Sequence, residues 1–163
     1  MGPMKSHKQI EDRKRILNLG AGNRIIKGAV NLDWIKNRPE INQVWDLNQL
    51  PWPFPDERFL WIEAWAIFEH LDIGLIACLN ESWRLLVPGG TLKFKVPWAG
   101  NPVATWTDPT HRRGYTRATI EFFDPSTPWG QKAARYTPYK WKIDLNQLNP
   151  EKTSVMVRMR KRA

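Results

Sequence analysis

Two glycines with one residue between them, Gly20 and Gly22, follow the apolar run Arg15 to Leu19. Glycine carries no side chain, so a turn built from it lets the backbone come close to a bound molecule. Asp33 sits at the end of the next apolar segment, Ala29 to Trp34, and Asp46 closes a shorter one at Gln43 to Trp45. An acidic side chain ending a second strand can accept hydrogen bonds from both hydroxyls of a ribose. A carboxylate ending a third can accept from an exocyclic amine such as that of adenine. Turn, first acid and second acid then lie along one edge of an open parallel sheet, where such folds bind their ligands. The glycine pair alone says little; its order with the two acids points to a nucleoside.

Those residues need strands to carry them. Arg15 to Leu19, Ala29 to Trp34 and Gln43 to Trp45 read as strands. Pro51, Pro53 and Pro55 make residues 50–58 an extended loop. Leu60 to Phe68 reads as a buried strand running into Glu69 and His70. Between Ile73 and Val87 the apolar residues Leu75, Ile76, Leu79, Trp83 and Leu86 recur at three and four positions, the spacing of an amphipathic helix. Pro88, Gly89 and Gly90 stop it. Thr91 to Val96 alternates as a strand should. Residues 97–140 form a proline-rich insert with one helical candidate, Arg117 to Phe123, and Trp141 to Leu145 with Ser154 to Met159 suggest an antiparallel hairpin closing the sheet. The expected architecture is α/β: an open, twisted Rossmann-like sheet, mostly parallel, with helices on both faces. Only ten residues separate Gly22 from Asp33, so the first crossover is abbreviated.

With 163 residues the chain suits one domain, with a polar basic tail at 1–14 and a loop-rich acceptor or lid segment at 97–140. The most apolar stretch, Leu60 to Leu79, is broken by Glu63, Glu69, His70 and Asp72, which argues against a membrane span. The N-terminus is polar up to Lys14 and shows no secretion signal. A single cysteine, Cys78, excludes an intramolecular disulfide framework and any zinc site built on several thiolates. A cytoplasmic protein is expected. The net charge is +9, with residues 1–15 holding five basic against two acidic side chains and residues 151–163 five against one. Such ends read first as solvated, solubilising segments.

Beyond these single features, the runs LNLGAGN, GAVNLDW, WDLNQLPWPFPDERF, AIFEHL and LNESWRLLVPGGTLKFKVP, in that order, make residues 15–97 resemble the class I methyltransferases that use S-adenosylmethionine. The resemblance is to their short, type 11-like subgroup, and DPTHRRGYT at 108–116 is similar to a motif of some of those proteins. It implies a cofactor site made of Asn18, Gly20, Ala21, Gly22, Asp33, Trp34, Asp46, Leu47 and Glu69, with S-adenosylhomocysteine as product. Arg24 stands where the family pattern has a third glycine. Methyl transfer needs a general base only for a protonated acceptor, and His70, His111 and Asp108, with Glu69, are the candidates. These groups also have metal-ligating chemistry, but their spacing matches no standard ligand pattern, and no metal is expected.

Trp98, Trp106, His111, Arg112, Arg113, Tyr115, Arg117 and Trp129 combine rings with positive charge, which suits a small anionic acceptor; a nucleic acid is the lesser alternative. The competing readings are a catalytically degenerate binding module of the same fold, engaging a polyanion or protein through its basic C-terminal half, and a nicotinamide dehydrogenase. The last predicts a longer first crossover and a full GxGxxG turn.

Overall fold

The computed structural model describes residues 15–162; the expected tail at 1–14 lies outside them. The chain runs β1 (Ile16–Leu19), β2 (Val30–Asp33), β3 (Gln43–Val44), β4 (Phe59–Trp65), α1 (Gly74–Leu85), β5 (Leu86–Pro97), three short helices α2 (Pro102–Trp106), α3 (Arg117–Glu121) and α4 (Pro128–Lys132), then β6 (Trp141–Leu148) and β7 (Ser154–Lys161). One seven-stranded sheet has the order β3-β2-β1-β4-β5-β7-β6. The first five strands are parallel, and β7 runs antiparallel to both β5 and β6. The expected sheet and closing hairpin are therefore present.

Alternation decides which side of the sheet is core. Leu17, Leu19, Ile62, Ala64, Leu92, Phe94, Val155 and Val157 point to one face and are fully buried or nearly so. On α1 the residues Leu75, Cys78, Leu79 and Leu85, spaced by three, one and six, cover that face in the same apolar cluster. The 117–140 segment docks there too: Thr137 Oγ1 donates to Asn80 of α1, and Trp83 Nε1 of α1 donates to the Lys140 carbonyl. The opposite face keeps Trp61, Glu63, Trp65, Lys93 and Lys95 half-buried. Its centre carries no helix among the described residues, a departure from the two-sided covering expected.

The cause is the short β1–β2 connection, in which side-chain amides do the work of a helix. Asn18 Nδ2 donates to the Arg24 carbonyl and to Asn31 Oδ1, while the Asn31 amide both donates to the Ile26 carbonyl and accepts from its N–H. Arg24, the residue in place of a third glycine, then lies back over the sheet. Its guanidinium pairs with Glu63 of β4 and stacks 4.6 Å from the Trp65 ring. The abbreviated crossover is thus an asparagine-pinned loop.

Two local expectations change. The fourth strand ends at Trp65, not Phe68, because Ala66 takes a positive φ of 55° while its N–H bonds the Lys95 carbonyl. The chain then folds into a 3-10 turn, Phe68–His70, so Glu69 and His70 sit on a turn. Pro88 to Gly90 do stop α1, but they lie inside β5, in an irregularity that lets Leu86 pair with Phe59 and Thr91 with Trp61. Gly89 bulges at φ 75°.

Asp124 ties the insert to the closing hairpin. Its carboxylate, 3% exposed, accepts from Ser126 N and Oγ, from the Ile143 N–H of β6 and from Arg162 Nη2. Burial pushes this carboxyl up, but the Ile143, Ser126 and Arg162 hydrogen bonds outweigh burial and hold it below the ordinary carboxylate range.

Candidate functional site

A cleft of about 320 Å³ opens at the carboxyl ends of β1, β2 and β3, within the size range of small-molecule sites. Gly20, Asp33, Trp34, Asp46, Leu47 and His70, all singled out in the sequence, line it together with Trp45, Asn48, Ile67 and Leu71. Gly20 adopts φ 60°, and a Cβ there would stand 2.6 Å from Ile67 Cγ1. Both conformation and space demand glycine. Gly22 also has a positive φ, 49°, but open space beside it.

Asp33 has two tasks. Its Oδ2 accepts from the Gly22 N–H at 2.7 Å and its Oδ1 from the Trp34 N–H at 2.8 Å. The carboxylate therefore locks the glycine turn onto the end of β2. Each oxygen still has a lone pair to offer a ligand. Asp46 is exposed at the far end of the cleft, with Oδ1 accepting from the Asn48 N–H. Leu47 is buried beneath it, and Trp34 is 75% exposed, an uncovered ring at the cleft's edge.

Four named cofactor residues do not line the cleft, Gly22 among them. Asn18 is buried, with its amide spent on Arg24 and Asn31, so it serves the crossover. Ala21 is 2% exposed and contributes backbone only, its N–H donating to the Leu32 carbonyl. Glu69 is buried and does not line the cleft, although its neighbour His70 does. Trp45, Asn48, Ile67 and Leu71 escaped the sequence reading. Asn48 had one signal, its position two residues after Asp46: its Oδ1 accepts from the Asp72 N–H and joins the two rims.

At the His70 end the insert meets the sheet. The Arg112 N–H donates to the Glu69 carbonyl at 2.7 Å, and Arg113 donates to the Leu71 and Asp72 carbonyls. These bonds bring Asp108 and His111 to Glu69 and His70. The two imidazoles pack edge to face, centroids 4.8 Å apart. His111 Nε2 lies 4.0 Å from Glu69 Oε1 and 3.8 Å from Asp108 Oδ2. Burial raises the Glu69 carboxyl to about 7. Burial also lowers His70, helped by the neighbouring His111, and hydrogen bonds from Thr110 lower Asp108. The four candidates for proton chemistry thus form one cluster.

The ring-and-cation set proposed for an acceptor does not gather as a whole. Arg113 is engaged by carbonyls, Tyr115 is buried, and Arg117 lines a separate cleft with Glu121 and Asp124. Trp106 and Trp129 are about half exposed on α2 and α4. Arg112, paired with Asp72 at 3.0 Å, stays next to the site. No helix among the described residues is long and apolar enough to cross a membrane.

No family model and no curated protein matches the chain. Solved structures do. An S-adenosylmethionine-dependent methyltransferase from Archaeoglobus fulgidus superposes with a TM-score of 0.64 at 13% identity, over 94% of this chain and 90% of that one. The 1,6-didemethyltoxoflavin-N1-methyltransferase of Burkholderia thailandensis, solved with S-adenosylhomocysteine, gives 0.56 at 14% identity over 91% and 71%. A cyclase, SpnF, gives 0.63 at 12% identity over 96% and 79%, so this fold does not by itself set a reaction. With its strand order, its antiparallel β7 and these superpositions, the chain has the fold of the class I S-adenosylmethionine-dependent methyltransferases.

Proposed function

We propose that the protein binds S-adenosylmethionine in the cleft between Gly20 and Asp46 and transfers its methyl group to a small anionic acceptor at the His70 end. The observation that carries this reading is the cleft itself. It joins a turn with no room for a Cβ, a carboxylate with free lone pairs at the end of β2, and a second carboxylate beyond β3, in the order a nucleoside requires. The residues fit the group: Asp33 suits the ribose hydroxyls, Asp46 with the Leu47 backbone suits adenine, and Gly20 and Gly22 leave backbone space for the amino-acid part.

The sulfonium, when bound, supplies an already activated methyl group. The chain's own task is then alignment and exclusion of water. His70, on the cleft wall, is placed to take a proton from an acceptor oxygen or nitrogen, and burial keeps its ring neutral and able to do so. Asp108 orients it through Thr110, whose hydroxyl contacts both. Exposed Arg112, beside the His70 end, favours an anionic acceptor.

Calorimetric titration tests the cofactor. Wild-type protein is expected to bind S-adenosylmethionine and S-adenosylhomocysteine with micromolar Kd and to ignore NADH. Asp33→Ala removes two charge-assisted hydrogen bonds, at least about 3 kcal/mol in all, and weakens binding by roughly 100-fold or more. Wild-type protein that binds neither adenosyl compound ends the methyltransferase reading. One observation favours the degenerate binding module instead: Asp33 already has a structural partner in Gly22 and so a reason to be present without catalysis. Tight binding with no transfer to any anionic acceptor would support that alternative.

A further inference from the structure

Glu69 presents an oddity that methyl transfer does not use. Its side chain is 2% exposed, yet Oε2 has no hydrogen-bond partner among the described residues. A buried carboxylate oxygen without a donor is costly and calls for a cation or a proton. Two imidazoles stand beside it, and both are oriented from behind. His111 Nδ1 lies 2.6 Å from the Thr105 carbonyl, which only accepts, so Nδ1 carries the hydrogen and Nε2 holds a lone pair. His70 Nδ1 lies 2.9 Å from Thr110 Oγ1, whose own proton goes to Asp108 Oδ1 at 2.6 Å; Nδ1 is again the donor and Nε2 the free base. One ligand atom from each of Glu69, His70 and His111 lies within 4.8 Å of the others.

We infer that Glu69, His70 and His111 form a site for one divalent transition-metal ion of the zinc type, at the acceptor end of the cleft. Two imidazoles and one carboxylate make a donor set that suits zinc, cobalt(II), nickel or iron(II), and it leaves positions open for water or an acceptor oxygen. Ring nitrogens tied to a carbonyl and to a carboxylate-anchored hydroxyl are the outer contacts that metal-binding histidines use. Bonds of about 2.0–2.2 Å require the three side chains to close inward by roughly an ångström. His111 sits on the loop linking α2 to α3, outside any helix or strand. The sequence spacing matched no ligand pattern because the ligands come from two segments far apart in the chain, joined in space by the Arg112–Glu69 backbone bond and by Arg113 on the Leu71 and Asp72 carbonyls. Metal binding itself is independent of the methyltransferase reading; only the ion's use rests on it. There the ion, by holding an anionic acceptor oxygen, takes the place of the proton transfer assigned to His70, whose Nε2 it occupies.

The test uses the full chain, stripped with a chelator and titrated with Co²⁺ by absorption and with Zn²⁺ by calorimetry. Expected are one ion per chain, visible Co²⁺ bands of low coordination number, and a Kd below about 1 μM. Glu69→Gln and His111→Asn should each weaken binding more than about 100-fold, beyond the loss typical of an outer contact. Circular dichroism confirms folding, and His111, on a loop, serves if Glu69→Gln does not fold. His7→Asn, altering the third histidine of the chain, should change nothing. Absence of stoichiometric binding, or binding retained by folded His111→Asn, overturns the inference. Titration with S-adenosylhomocysteine in parallel separates the outcomes: metal without adenosyl binding leaves this site standing and removes the cofactor, and the reverse does the opposite.

Discussion

Gly20→Ala should abolish measurable binding of S-adenosylhomocysteine, whereas Gly22→Ala, two residues away in the same turn, should cost less than about tenfold. Both glycines have positive φ, so both substitutions carry a backbone cost of about 1 kcal/mol. The difference lies in space. A methyl group at position 20 would overlap three atoms of Ile67, at 2.6, 2.7 and 2.9 Å, and Ile67 is itself a wall of the cleft. At position 22 the nearest atom is the Gly20 carbonyl oxygen, 3.9 Å off. Overpacking adds about 1–3 kcal/mol, and relieving it by moving Ile67 narrows the cleft. Titration calorimetry on the two variants measures the contrast. Ile67→Ala in the Gly20→Ala background should recover part of the loss. Equal behaviour of the two single variants would show that the Ile67 contact is irrelevant to binding.

Asp124→Ala, although far from the cleft and outside the apolar core, should lower stability by about 3 kcal/mol and the melting temperature by roughly 10 °C. Four donors converge on this carboxylate. Without it the Ile143 and Ser126 N–H groups lose their acceptor on the wall of the second cleft, and Arg162, more exposed, turns to water. The loss should also depend on pH with a definite sign. The folded carboxyl is held below its ordinary value, so its contribution is complete above about pH 4. It disappears as pH falls through the folded value. Chemical denaturation at pH 7 and at pH 3 should therefore show a smaller gap between wild type and variant at the lower pH. A gap that widens on acidification contradicts the hydrogen-bond account.

The legible parts of the sequence were those in which one residue's chemistry is expressed locally. Gly20 and Gly22 announce a positive-φ turn, Asp33 and Asp46 end apolar runs, and the three-and-four spacing of Leu75, Leu79 and Trp83 marks α1. Residues 86–90 were harder. A Pro-Gly-Gly run says stop, and it does stop the helix, but the absorption of that run into β5 depends on Phe59 across the sheet. Asn18 shows the limit most clearly. It stands inside the glycine motif and reads as a ligand contact, but its amide is committed to a loop that exists because the crossover has no helix. The meeting of Glu69 with His111 was invisible for another reason. It depends on Arg112 and Arg113 bonding the carbonyls of residues 69, 71 and 72, a tertiary arrangement with no periodicity to betray it.

The unequal strand lengths divide the molecule into halves of different local cohesion. β4 through β7 are strands of seven to twelve residues, paired along nearly their full length, whereas β2 has four residues and β3 only two. Amides of the β2–β3 edge should therefore exchange with solvent through small local openings, while those of β5 and β7 exchange only when the whole domain unfolds. The cleft is built on the weaker half. Occupancy of the cleft should accordingly slow exchange first and most at Leu32, Asp33 and Trp45, a footprint that would report binding even where the overall melting temperature hardly moves.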